Sequence, residues 1–195
     1  MELESFSMEE ALALLKERSA KANTISYVRE CSRAFVHRGD YLAAKFALDY
    51  ADYGGSLVIV DGNVNVEKFW DSWVTVVVLG DLHAGYMSAS EYCFVEGDCV
   101  ISRGLYGDSG SNKSLFVSGK LGANVVVMHG HSLEVDGAID CPVVIDAAER
   151  TPPRGFTHGF ETMSDVLDAT LLDEDGDLDV EQLEERMSTG GSVLR

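Results

Sequence analysis

From Leu57 to Cys141 the apolar and polar positions alternate in one phrase that is written five times. The phrase is apolar-x-Val-x-Gly-x-apolar-x-small or apolar. It runs Val58-Ile59-Val60-Asp61-Gly62-Asn63-Val64-Asn65-Val66, and recurs over Val76–Ala84, Cys93–Ile101, Leu115–Ala123 and Leu133–Cys141. Its glycines, Gly62, Gly80, Gly97, Gly119 and Gly137, are 18, 17, 22 and 18 residues apart, and Val stands two before each. Self-similarity at a nearly fixed period is the signature of a repeat architecture. Alternate residues of a strand share a face. The positions two and four before and after each glycine therefore point one way, and all are apolar: Val58/Val60/Val64/Val66, Val76/Val78/Leu82/Ala84, Cys93/Val95/Cys99/Ile101, Leu115/Val117/Leu121/Ala123 and Leu133/Val135/Ile139/Cys141. The intervening positions are mixed and mostly polar. The glycine falls where the alternation turns a corner, a place that suits a residue without a Cβ. A second strand per coil is visible at Phe69-Trp70, Val125-Val126-Val127 and Val143-Val144-Ile145. A period near 18 is too short for a propeller blade. It predicts a mainly β fold, a single-stranded β-helix (β-solenoid) of about five coils in which like residues stack on like. A β-sandwich of short strands is the runner-up.

The flanks change period. Residues 1–54 read as an N-terminal helical cap. Ser7-Met8-Glu9-Glu10 has the form of a capping box, followed by Ala11, Leu12, Leu14 and Leu15. Tyr27, Val28, Cys31, Ala34 and Phe35 predict a second helix from near Thr24 to Gly39, a good C′ residue. Asp40 caps a predicted third helix with Leu42, Phe46 and Leu48. Gly54-Gly55 marks the boundary. The solenoid takes residues 55–148, and 149–195 form a connector and C-terminal helical cap. There Thr162-Met163-Ser164-Asp165 starts a helix with Val166, Leu167, Leu171 and Leu172. Asp179, with Gln182 three later, caps a last helix carrying Val180, Leu183 and Met187. A solenoid has two open ends with bare sheet edges, and these helices are placed to cover them.

Composition narrows the partner. The 195 residues carry 15 basic and 33 acidic side chains, a net charge of -18. That excludes nucleic acid and anionic membranes as electrostatic partners and favours a basic protein. The charge is -2 over residues 1–54 (9 acidic, 7 basic), -9 over 55–149 (13 and 4) and -7 over 150–195 (11 and 4). The start, Met1-Glu2-Leu3-Glu4, lacks a signal peptide's basic and apolar pattern, and no apolar stretch approaches a membrane span, so a cytoplasmic location is expected.

Candidate chemistry is sparse. Cys93, Cys99 and Cys141 take the inward phase and read as core, and no CxxC suggests zinc. His129-Gly130-His131 puts two imidazoles on one face if extended, with His83 in an earlier coil. No third metal ligand follows from the register, so a polar turn is preferred. The stretch from Asp173 to Asp179 is similar to a calcium loop. Aligning its Gly176 with the sixth position, however, puts Leu171 and Gln182 where the first and last carboxylates belong. It reads as an acidic turn. There is no G-x-S-x-G, P-loop or kinase set, and Gly85, Gly104, Gly107 and Gly110 read as corner residues. The expectation is a protein without enzymatic activity or cofactor. Recognition falls to two sets. Asp61, Asp81, Glu96, Asp98 and Asp136 take the outward phase beside the glycines and form an acidic ladder. Phe69, Trp70, Trp73, Tyr86, Tyr92 and Tyr106 supply aromatic anchors.

Phrases such as Val78-Leu79-Gly80-Asp81-Leu82 and Val95-Glu96-Gly97-Asp98-Cys99 resemble those of bacterial polymer-forming cytoskeletal, bactofilin-like β-solenoids. The resemblance covers about residues 55–146. It implies a β-helix without enzymatic activity that assembles end to end. Bactofilins look like a solenoid core between flexible tails, whereas both flanks here read as folded helices. The leading expectation is thus an immunity protein that neutralises a basic toxin domain. The alternative is a bactofilin-like self-assembling scaffold.

Overall fold

The computed structural model describes residues 1–109 and 113–195. Gly110, read as a corner residue, lies outside the described residues. The chain opens with β1 (Glu4–Phe6), α1 (Met8–Glu17) and α2 (Ala22–Tyr27). Next come β2 (Arg33–Arg38), β3 (Tyr41–Ala47), α3 (Tyr50–Tyr53), β4 (Ser56–Asp61), β5 (Val64–Trp70), β6 (Thr75–Val78) and β7 (Leu82–Ala89). They are followed by β8 (Cys93–Val95), β9 (Cys99–Val117), β10 (Leu121–Ala123), β11 (Val126–Val135), β12 (Ile139–Asp140) and β13 (Val144–Asp146). The end of the chain holds β14 (His158–Gly159), α4 (Met163–Val166) and α5 (Val180–Thr189).

The strands wind into a three-sided β-solenoid of about five turns. The first face stacks β2, β4, β6, β8 and the last segments of β9 and β11. The second stacks the first halves of β3, β5, β7 and β9, then β10 and β12. The third stacks the second halves of β3, β5 and β7, then the middle of β9, the start of β11, β13 and β14. These pairings are parallel; only β1 joins β2 antiparallel. The register puts Val58 beside Val76, then Cys93, Leu115 and Leu133. The inward phase is buried as the alternation requires, apart from the last coil. On the third face Phe46 stacks on Phe69 with ring centroids 4.6 Å apart. Each such side chain, once buried, contributes about 1.5–3 kcal/mol. Ile139, in the last coil, is 38% exposed because no further coil stacks on it.

Close approach, not bending, explains the repeat glycines. None of Gly62, Gly80, Gly97, Gly119 and Gly137 has positive φ. The last four donate along one corner: Gly80 N–H to Gly62 O at 3.0 Å, Gly97 to Gly80 at 3.1 Å, Gly119 to Gly97 at 2.9 Å and Gly137 to Gly119 at 3.0 Å. A Cβ on Gly119 would stand 2.6 Å from the Gly97 carbonyl oxygen. Gly85, Gly104 and Gly107 are not at this corner; they lie within β7 and β9. Gly104 makes room for the Met187 sulfur, which a Cβ would meet at 2.8 Å.

The N-terminal flank differs from the expected three helices. Helix α1 forms with its capping box: Glu10 N–H donates to Ser7 Oγ, and Ser7 N–H to Glu10 Oε2. Helix α2 ends at Tyr27. Beyond it, β2 and β3 stand where helices are predicted. β2 pairs with β4 residue for residue from Arg33↔Ser56 to Arg38↔Asp61. The winding thus begins before Gly54, and Gly39 (φ +83°) turns the first corner. The helices of both terminal segments lie along the prism's sides. Ala11, Leu14 and Leu15 of α1 pack on Ala34, Val36, Leu57, Ile59, Val77 and Phe94, the outward residues of the first face. Leu183 and Met187 of α5 pack on Tyr86, Tyr106, Val125, Val127 and Ile145 of the third. The ends are closed by smaller pieces. Leu3, Tyr41 and Tyr53 pack against the core at one end and Phe156 at the other.

Candidate partner-binding site

The five carboxylates of the acidic ladder are held within the chain. Asp61, its side chain 7% exposed, pairs with Arg18 of α1 at 2.8 Å and with Arg38 at 3.0 Å. Partial burial pushes its carboxyl up, but the two guanidiniums hold it below the ordinary value. Glu96 accepts from Lys21 N–H at the start of α2, from Thr24 Oγ1 at 2.6 Å and from Ser118 Oγ at 3.1 Å. Asp136 pairs with the Lys21 ammonium. Asp81 and Asp98 belong to a ladder of another kind. Asn63 N–H donates to Asp40 Oδ1 at 2.7 Å, and Asp81 N–H to Asn63 Oδ1 at 2.8 Å. Asp98 N–H then donates to Asp81 Oδ1, and Lys120 N–H to Asp98 Oδ1, both at 2.8 Å. Each acidic or amide side chain thus closes the corner of the next coil. This is the side-chain-to-backbone bonding that Asp and Asn favour at turns.

The aromatic set divides. Tyr106 and Tyr86 are buried under α5. Phe69 is in the core, and Tyr92 packs against Tyr27 with ring centroids 4.8 Å apart and the rings tilted by 39°. Trp70 and Trp73 are 45% and 47% exposed. Trp73 follows Ser72 in a turn where both have positive φ, 51° and 64°, a conformation costly for residues with side chains. Buried Asp71 holds that turn. It accepts from Ser90 N–H and Oγ, Glu91 N–H and Trp73 N–H. Burial pushes its carboxyl up to about 6 against the pull of those donors.

Trp70 joins a groove that the sequence reading did not find. Where β3, β5 and β7 meet α5, a cavity of ≈ 290 Å³ opens between the third face and the helix. It is lined by Trp70, Phe69 and Tyr86, by Glu181, Glu184 and Glu185 of α5, and by Lys45 and Lys68, which are cross-strand neighbours. Glu184 is fixed by two donors, Tyr86 Oη and Ser88 Oγ, each at 2.9 Å. Burial first, then the Glu184 charge, pushes the Tyr86 phenol up, so it stays protonated. Glu181 and Glu185 are exposed. The Lys45 ammonium lies over Trp70, 5.1 Å from the ring centroid. Among the described residues, neither Lys45 nor Lys68 has a carboxylate within 4 Å. Two features position α5. Arg103 bridges Ser188 O and Glu67 O at 3.0 Å, and Asp179 caps the helix by accepting from Gln182 N–H at 3.1 Å. The carboxylates were legible in principle, since 181, 184 and 185 share one face of the predicted helix. The lysines were not, because Lys45 sat in a predicted helix.

The remaining candidates are dispersed. Cys93 and Cys99 are buried, and burial pushes the Cys99 thiol up to about 12. Gly130 (φ +66°) sits at a register shift between the two histidines, so they do not share a face. His129 is exposed and His131 buried, with no partner for either ring nitrogen. His83 lies exposed on the second face. The described residues contain no cluster of three metal-ligating side chains. Asp173 closes its own turn by accepting from Asp175 and Asp177 N–H, both at 2.9 Å. No described helix is long and apolar enough to cross a membrane. No protein-family model, curated protein or solved structure matches the chain.

Proposed function

We propose that the chain is a non-enzymatic cytoplasmic binding protein for a basic protein, of the immunity type that neutralises a cationic toxin domain. The supporting observation is where acidity concentrates without a basic side chain in its own stretch. Residues 173–185 carry eight acidic and no basic side chains. The last three of them, Glu181, Glu184 and Glu185, line the groove together with exposed Trp70. Acidic charge next to aromatic surface supplies both steering and an anchor. The test is biolayer interferometry against a cationic toxin domain encoded by an adjoining gene, with toxin activity followed in parallel. Inhibition with an association rate that falls with salt is expected. Charge reversal of Glu181, Glu184 and Glu185 together should slow association. A rate unchanged by both salt and reversal removes this reading.

A bactofilin-like scaffold is the second reading, and one observation favours it. Among the described residues, β3 pairs only with β5 and β12 only with β10, leaving the second face open at both edges. Leu42 and Ile139 stand there 79% and 38% exposed. Such edges can join head to tail. Light scattering at rising concentration decides it: growth abolished by Leu42→Lys supports assembly, and a constant monomer mass excludes it.

A further inference from the structure

We propose that the groove between the third face and α5 is a receptor for an arginine side chain of the partner; this rests on the basic-partner reading and names the group recognised. Three observations converge on a guanidinium. The groove presents one large aromatic ring, Trp70, nearly half exposed. Arg is the cation that most often stacks on such rings, and Trp is the best face for it. Trp70 already carries a cation, since Lys45 reaches across from the neighbouring strand to lie over its ring. The chain thus fills from within a place that suits a positive charge. The lining also holds three carboxylates, and among the described residues only one of them is engaged. Glu184 is tied to Tyr86 and Ser88, which holds it at the back of the groove. Glu181 and Glu185, one turn apart on α5, remain free for a planar fork of N–H donors. Like charges at this spacing repel within the helix, and a bound guanidinium relieves that repulsion.

The two lysines make the inference sharp. An arriving arginine displaces Lys45 from Trp70, so both Lys45 and Lys68 oppose its binding. An anionic ligand would need them instead. Removal of the lysines therefore moves affinity in opposite directions for the two kinds of ligand.

The test is NMR titration of the indole Nε1–H signals with Nα-acetyl-arginine amide. Its uncharged isostere, Nα-acetyl-citrulline amide, and inorganic phosphate are the comparisons. The chain has two tryptophans, so Trp73, outside the groove, is the internal control. The Trp70 signal should move with the arginine compound alone, and saturation should shift to higher concentration with salt. Glu181→Gln with Glu185→Gln should weaken binding about three- to tenfold, and Lys45→Ala should tighten it by about threefold. Equal movement of both indoles, an equal response to citrulline, or weakened binding in Lys45→Ala overturns the proposal. So does a response to phosphate alone. Failure of the two readings is separable. A response at Trp70 with no basic protein bound leaves the groove and removes the function. A basic protein bound equally well by the Glu181/Glu185 variant leaves the function and removes the groove.

Discussion

Two corners of the same prism obey different rules. At the corner between the first and second faces, each coil makes the same turn with glycine and, in most coils, an Asp or Asn after it. Glycine backbones bond from coil to coil, and the following carboxylate or amide closes the next turn. At the corner between the third and first faces every coil differs. It holds α3 in the first coil, the strained Ser72-Trp73 turn in the second, and four extra residues between Asp108 and Lys113 in the fourth. That last insertion, with one further residue between Ile101 and Gly104, accounts for the spacing of 22 among glycines otherwise 17 or 18 apart. The regular corner sets the fold. The irregular one is where the chain departs from repetition and puts Tyr50 and Trp73 on the surface, 63% and 47% exposed.

The largest effect should come from breaking the regular corner. Gly119→Ala drives a Cβ against the backbone of Gly97, which cannot yield. It should lower unfolding free energy by about 3 kcal/mol, read from the denaturant midpoint. Gly122→Ala is its control, because nothing lies within 4 Å of that Cβ. It should leave stability unchanged. Equal losses at both sites would mean that strand glycines are interchangeable, and the close-packed corner would be discarded.

At the irregular corner, Asp71→Ala should cost about 2 kcal/mol, since it strands the Ser90, Glu91 and Trp73 amides. The loss is smaller than at Gly119 because burial already works against the Asp71 charge. The pH dependence carries a sign. The folded Asp71 value of about 6 lies above the ordinary 3.8, so its contribution is present below pH 3.8 and is lost as pH rises through 6. Buried His131 acts in reverse. Burial lowers it to about 4 from 6.5, so stability is lost as pH falls through that window. Between pH 4 and 6 the two slopes oppose each other, each about 1.4 kcal/mol per pH unit. His131→Leu should be slightly more stable at pH 7, because both orphaned nitrogens disappear. It should also gain stability relative to the native protein as pH falls from 6 to 4. Parallel pH profiles of the two proteins would refute the assignment.

The sequence disclosed what repetition enforces. Inward Val, Leu and Cys positions were readable because stacking puts like on like, and Ser7/Glu10 and Asp179/Gln182 were readable because caps are local. The first coil escaped because His37 stands where the later coils have Val, and because Gly39 resembles a helix C′ residue. Its strand identity comes from pairing with β4, which no local window contains. The outward apolar residues Leu57, Ile59, Val77 and Phe94 were visible, but the helix that covers them is distant in sequence. The acidic ladder has a second task that its spacing does not show. Asp81 and Asp98 stand on the predicted face, and one oxygen of each is in use as an acceptor. Asn63, an uncharged residue at the same phase, was the available clue.

That clue yields the smallest effect and the most selective one. If the regular corner uses these side chains as acceptors and not as charges, Asp81→Asn with Asp98→Asn should fold as well as the native protein, within about 0.5 kcal/mol. Asn63 already performs the same task, accepting from Asp81 N–H at 2.8 Å. Asp98→Ala, which leaves Lys120 N–H without its acceptor, should cost about 1 kcal/mol. The double amide variant removes two negative charges without touching the ladder. Its affinity for a basic partner therefore measures charge at this corner alone. An affinity loss matching that of the Glu181/Glu185 variant would return the binding surface to the repeat. Unchanged affinity would leave the two corners with separate tasks, one holding the coils together and the other free to vary.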